Sequence, residues 1–207
     1  MRKLLLVSAA GCLFLAACNN VKKPSSGNLT RAINLYFAKH GDVCTVIVPQ
    51  FPVDVPQREQ KEQYGIGPKL VTLEQAGLVH SSDTTAVVHG TLDALRGSTP
   101  PQPVKRYEST PEGKKYFQEL PNPLGQTGAF CYGQKSVDAI VKWTEPGTNS
   151  QTEVTYTYKI VNLAGWAERP DVQKAFPDIG ATVSGASKTS QVAGLQLTNQ
   201  GWEVLGQ

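Results

Sequence analysis

The sequence predicts an α+β fold, and three observations carry that expectation. Late in the chain, Val137, Ala139, Val141 and Trp143 alternate with Asp138, Ile140 and Lys142. Val154, Tyr156, Tyr158 and Ile160 then alternate with Glu153, Thr155, Thr157 and Lys159. Two period-2 runs joined by 144–152, which holds Pro146 and Gly147, read as a β-hairpin with one polar face. Early in the chain, Leu29, Ala32, Ile33, Tyr36 and Phe37 recur at helical spacing. Finally, 207 residues that are 40% apolar and 18% charged can bury a real core. That composition excludes a collagen-like chain, a coiled coil and a wholly disordered chain.

The elements follow in order. A helix is expected over Asn28–His40, capped by Asn28 and closed by Gly41 in a left-handed conformation. Val43–Val48 is a short apolar run stopped by Pro49, a buried strand that carries Cys44. Pro49, Pro52 and Pro56 make 49–56 irregular. Pro68–Ala76 is a second helix, with Leu70, Leu73 and Ala76 inward and Gly77 as terminator. Leu78 and Val79 lead into a strand, and Thr84–His89 is another strand-like run. Residues 97–103 are a loop and Val104–Glu108 is extended. Thr110 caps a helix that has Pro111 first and buries Tyr116 and Phe117. Gly128–Tyr132 is a strand with Cys131. Beyond the hairpin, Pro170 opens a short helix that ends at Phe176, before Pro177. Val192–Leu197 and Gly201–Leu205 close the chain as a hairpin turned at Asn199. The proline-rich 120–125 stretch reads as a connection between two parts packed on one surface.

The N-terminus reads as an address. Arg2 and Lys3 precede an uncharged, mostly apolar run, Leu4–Leu15. A helix needs about 20 residues to span the hydrocarbon core, so the run fits a signal h-region better than a membrane span. It ends in Leu15-Ala16-Ala17-Cys18, which resembles the lipobox of bacterial lipoproteins. In that family the thiol after the cleavage point receives a diacylglyceryl group and the new amine is often acylated. The resemblance covers residues 1–18 and implies lipidation of Cys18. Cys12 is the weaker candidate, since Ala9 stands where the lipobox usually has leucine. Two or three acyl chains satisfy the requirement that stable anchoring takes more than one. Asn19 follows the anchor. In lipoprotein sorting an aspartate there commonly retains the protein at the inner membrane, so Asn19 points to the outer membrane of a Gram-negative envelope. Residues 19–28 are polar and turn-rich, a tether with a reach of roughly 17–19 Å.

Past the signal, Cys18, Cys44 and Cys131 remain. With Cys18 lipidated, two thiols are left in an oxidising compartment, where a Cys44–Cys131 disulfide is the default. Two free thiols or a metal pair are the alternatives. His40 and Asp42 lie near Cys44, but nothing comparable flanks Cys131, so no metal site is expected.

A second resemblance covers Lys69–Val79, KLVTLEQAGLV, and RYESTPEGKKYF from Arg106. Together they resemble a winged-helix module, in which a helix ends in an AGL step, a β-wing follows and a strand leads into LTPEG. Ser109 stands where that pattern has leucine. The resemblance implies a winged-helix-like part over 29–122, packed on an antiparallel β-rich part over 123–207. The whole also resembles small proteobacterial envelope lipoproteins, an analogy that carries no mechanism.

Chemistry is sparsely signalled. There is no HExxH pair, no GxSxG elbow, and no Walker lysine after Gly65-Ile66-Gly67. His40 belongs to a helix C-terminus, where the dipole favours positive charge. His80 and His89, with Asp83 and Asp93, are the candidates for a hydrolytic or metal-dependent centre. Tyr132, Trp143, Tyr156, Tyr158 and Trp202 read as core. Trp166, in the break Leu163–Ala167, reads as an exposed anchor for a protein or glycan partner. Lys and Arg number 20 against 17 acidic residues, and without Arg2 and Lys3 the balance is 18 to 17. A net charge near +1 is not built for nucleic acid. The expectation is a non-enzymatic envelope lipoprotein, without cofactor, that binds or scaffolds at the membrane. The alternative is a periplasmic enzyme using His80 and His89.

Overall fold

The computed structural model describes residues 21–48, 50–88, 100–123 and 125–206. Cys18, His89 and Asp93 lie outside them. Helix α1 (Ser26–His40) starts two residues earlier than expected, because Ser25 rather than Asn28 is the N-cap. The Ser25 hydroxyl accepts from the Asn28 backbone N–H at 3.3 Å. At the other end Gly41 has φ −91°, so it is not left-handed. A Cβ there would lie 2.5 Å from the Phe37 carbonyl oxygen. Gly41 is required for close approach, not for a positive φ.

Strands β1 (Asp42–Val48), β5 (Phe117–Asn122), β6 (Gly125–Trp143), β7 (Gln151–Val161), β8 (Ser190–Thr198) and β9 (Gly201–Val204) form one antiparallel sheet. Its order is β1-β6-β7-β8-β9, with β5 also on β6. β6 is 19 residues long and unites the two strands expected over 128–132 and 137–143. Register shifts at Val137/Ala139 and Ile140/Lys142 bend it. α1 touches both β6 and β9, which two strands separate, so the sheet curls around the helix. Their shared core holds Leu29, Ile33, Phe37, Val137, Val154, Tyr156, Tyr158, Leu195 and Trp202.

Strands β2 (Val53–Pro56), β3 (Val79–Ala86) and β4 (Gln102–Ser109) make a second sheet in the order β2-β4-β3. Helix α2 (Ile66–Gln75) leads into β3 through Gly77 at φ +77°. The Thr110 hydroxyl donates to the Gly77 carbonyl at 2.7 Å and accepts from the Gly113 N–H at 2.9 Å. The two motif fragments, AGL and TPEG, are thus one interlocked turn. The expected helix at 110–117 is only a 3₁₀ turn, Gly113–Lys115, and Phe117 already begins β5. Nor is 120–125 an open connection. Leu120, Pro121 and Asn122 pair with Thr127, Gln126 and Gly125 in a tight hairpin. Pro121 is tolerated because β5 is an edge strand.

Helix α3 (Pro170–Ala175) is followed at once by α4 (Pro177–Gly185). Pro177, expected as a stop, is instead a helix N-terminal residue, where a missing N–H costs nothing. α3 packs against α2 and α4. These helices, the small sheet and the β1–β6 end of the large sheet share a second core: Val55, Leu70, Leu73, Tyr107, Phe130, Tyr132, Trp166, Phe176 and Ile179. Both cores therefore mix residues from before and after position 122. The coarse α+β expectation holds. The three helices of an N-terminal winged-helix bundle do not stand together, since α1 packs on the large sheet.

Trp166 corrects an expectation. It is 7% exposed, with Tyr116, Phe130 and Tyr132 edge-on around it at 5.9–6.2 Å. The break Leu163–Ala167 is a 3₁₀ turn that folds back onto the core: the Ala164 N–H donates to the Tyr132 carbonyl at 2.8 Å. A residue so enclosed cannot anchor a partner. The disulfide expectation holds. Cys44 and Cys131 are bonded, as direct partners in the β1–β6 register.

Candidate functional site

Where α1 ends, the curled sheet is left uncovered until α4 begins. The gap is a cleft of about 580 Å³. Ile33, Tyr36, Phe37 and His40 bound one side, and their i, i+3, i+4, i+7 spacing puts them on one face of α1. Asp178 and Thr182 of α4 bound the other side. The sheet between supplies Lys135, Tyr156, Gln191 and Ala193, and the Cys44 end of the cystine adjoins them.

Strand pairing explains the inward set. Tyr158 stands opposite Val137, Tyr156 opposite Ile140 and Gln191, and Val154 opposite Ala193. Direct partners share a face, so these residues look toward α1. Lys135 is two residues before Val137 and looks the same way. Its Nζ stands 4.6 Å from the centre of the Tyr158 ring. Burial lowers its proton affinity.

The polar groups of the cleft are organised. The Tyr158 hydroxyl donates to the Thr182 carbonyl at 2.8 Å, tying β7 to α4. The Tyr156 hydroxyl donates to Gln191 Oε1 at 3.3 Å. Tyr36 and His40 stack with ring centres 4.8 Å apart. Burial raises the pKa of Tyr132, Tyr156 and Tyr158, so all three are neutral hydrogen-bonding phenols at neutral pH. Asp42 and Asp178 are exposed at the rim, and Asp42 accepts from the Gln134 amide at 3.2 Å.

The sequence-predicted histidines fall elsewhere. His40 reaches the cleft. His80 is on β3, exposed, 3.4 Å from Glu108, its register partner on β4. Among the described residues, no three His, Cys, Asp or Glu side chains group as metal ligands. A second groove of about 600 Å³ runs along α2 and α3 between Tyr64, Pro68, Lys69, Lys174 and Pro177.

Sequence reasoning missed Lys135, although a signal existed. Continued backward, the alternation of Val137, Ala139 and Val141 places Lys135 in the apolar phase. Among the described residues, no helix is long and apolar enough to cross a membrane. Comparison with known proteins finds no matching family model, curated protein or solved structure.

Proposed function

We propose that this protein is a non-enzymatic lipoprotein of the bacterial envelope. It is anchored through lipidated Cys18, on the periplasmic face of the outer membrane, and it binds its partner, an envelope protein or glycan, in the cleft between α1 and α4. The cleft is the observation that carries the reading. It is open, lined by aromatic rings and fixed hydrogen-bonding groups, and held in shape by the Tyr158–Thr182 and Tyr156–Gln191 hydrogen bonds. Two features support the location: the Leu15-Ala16-Ala17-Cys18 sequence, and a disulfide of the kind that persists in oxidising compartments.

The winged-helix-like reading of the N-terminal part draws its support from α2, Gly77 and the β3–β4 hairpin. With a net charge near +1 outside the signal, it is an architectural likeness and not a nucleic-acid surface. An enzyme built on His80 draws support only from its contact with Glu108.

The test has two parts. Cells fed labelled palmitate should label the wild-type chain and not Cys18→Ala, which should accumulate as a precursor. A photo-crosslinking residue at Asp178, exposed on the cleft rim, should capture one envelope component. Equal lipid labelling of both chains refutes the anchor, and no captured species refutes the binding role.

A further inference from the structure

Lys135 is the residue of the cleft whose charge is least matched to its surroundings. Strand alternation sends its ammonium to the face that buries Val137, Tyr156 and Tyr158. Among the described residues, no carboxylate lies within 4.0 Å of it, and it stands over the Tyr158 ring. Burial alone accounts for its weakened proton affinity, with no carboxylate opposing it. The acids of the cleft, Asp42 and Asp178, stay in solvent at the rim, and His40 is stacked on Tyr36. A cation already stripped of part of its water gains more from a counter-ion than an exposed one does, because the desolvation cost is partly met and the local dielectric is low. The rings of Tyr36 and Tyr156, which line the same cleft, offer a flat apolar wall.

We propose that the cleft takes a small carboxylate carried on a flat ring, the carboxylate on Lys135 Nζ and the ring against Tyr36 and Tyr156. A carboxylate fits better than a phosphate dianion, since one ammonium balances one charge and no arginine lines the cleft. The proposal rests on the binding role above and names the chemical class that fills the site.

The probes are 2-naphthoate and its uncharged amide, 2-naphthamide, measured by equilibrium dialysis at pH 7. The protein is the full chain in nonionic detergent, with detergent-only controls subtracted. Naphthoate should bind at least tenfold more tightly than naphthamide. Lys135→Met, which keeps the stem and removes the charge, should bring the ratio to about 1, and Lys135→Arg should retain the preference. Saturating naphthoate should also slow acetylation of Lys135 by acetic anhydride at least fivefold, leaving exposed Lys159 unchanged. This last measurement needs no variant to fold. Equal affinities, a preference that survives Lys135→Met, no binding of either probe, or tighter binding of 2-naphthyl phosphate than of naphthoate overturns the proposal. An envelope partner captured equally by wild type and Lys135→Met, with no naphthoate preference in either, overturns this proposal alone and leaves the binding role standing.

Discussion

Replacing Cys44 and Cys131 together by alanine should lower the melting temperature by about 10–18 °C without changing the fold. The bond joins residues 87 apart. In the chain-entropy description, closing a loop of that length removes about 4.6 kcal/mol of unfolded-state freedom at 25 °C. For a chain of this size each kcal/mol moves the midpoint by about 2–4 °C. The fold should survive because β1 is held independently: Asp42, Val43, Thr45 and Val46 pair with Gln134, Gly133, Phe130 and Ala129. The Lys135 N–H also donates to the Gly41 carbonyl at 2.7 Å. The enclosed segment contains the whole second sheet and α2, so the loss falls on the unfolded chain and not on one local contact. The assay is far-UV circular dichroism against temperature, oxidised wild type beside the double variant. A shift below about 4 °C would refute the reasoning, since the unfolded chain would then be compact without the bond. Loss of the native spectrum at 20 °C would refute it from the other side, by showing that the pairing of β1 and β6 needs the covalent link.

Trp166→Ala should cost about 3–5 kcal/mol, measured by urea denaturation, while leaving partner capture intact below its melting point, because the ring fills the core and touches no open surface. Gly113→Ala should abolish or gravely weaken folding, since its Cβ would fall onto the Leu78 carbonyl oxygen. Gly27→Ala, in open space in the first turn of α1, should stabilise by up to about 0.5–1 kcal/mol; thermal melts of the two variants test the contrast. Asp54→Asn should cost about 1 kcal/mol at pH 7, because the carboxylate accepts two hydrogen bonds from Arg106 at 2.7 and 2.8 Å in a partly exposed pair. The Arg106 hydrogen bonds hold the Asp54 pKa below 3.8, so the pair's contribution is complete above about pH 4 and fades as pH falls through the lower folded value. Urea midpoints of wild type and Asp54→Asn should therefore draw together as the pH is lowered below 4.

How far the sequence was legible depends on the range of the deciding interaction. The hairpin of β6 and β7 was legible because alternation is local, and it holds on β7; on β6 the bulges bring Ile140 inward and leave Val141 and Trp143, expected in the core, exposed. That 128–132 and 137–143 are one strand was not, since Gly133, Gln134, Lys135 and Ser136 break the apolar run between them. Helix α4 was missed for a different reason. Gly180, Ala181, Thr182 and Ser184 give it little amphipathic contrast, and Pro177 is as good a start as a stop. The AGL and TPEG fragments correctly reported a turn, because Thr110 and Gly77 are bonded to each other. They could not report which helices would pack around it. Trp166 failed by the same rule. Leu163–Ala167 has the composition of a loop, but burial is decided by Phe130 and Tyr132, more than thirty residues upstream.

The cleft follows from a mismatch of lengths. α1 has 15 residues, a rod of about 22 Å, while β6 runs for 19 residues at about twice the rise per residue. The helix cannot cover the strand it packs on. Its last turn closes at Gly41, where the Phe37 carbonyl leaves no room for a side chain, and α4 bounds the cleft from the opposite side. Lys135 stands in the space between, on a face otherwise given to aromatic and aliphatic groups. The same rod separates the proposed anchor from the cleft. The proposed anchor precedes the N-terminus of α1, and the cleft lies at its C-terminus. In the proposed anchored form the cleft therefore stands about one helix length from the end of the tether.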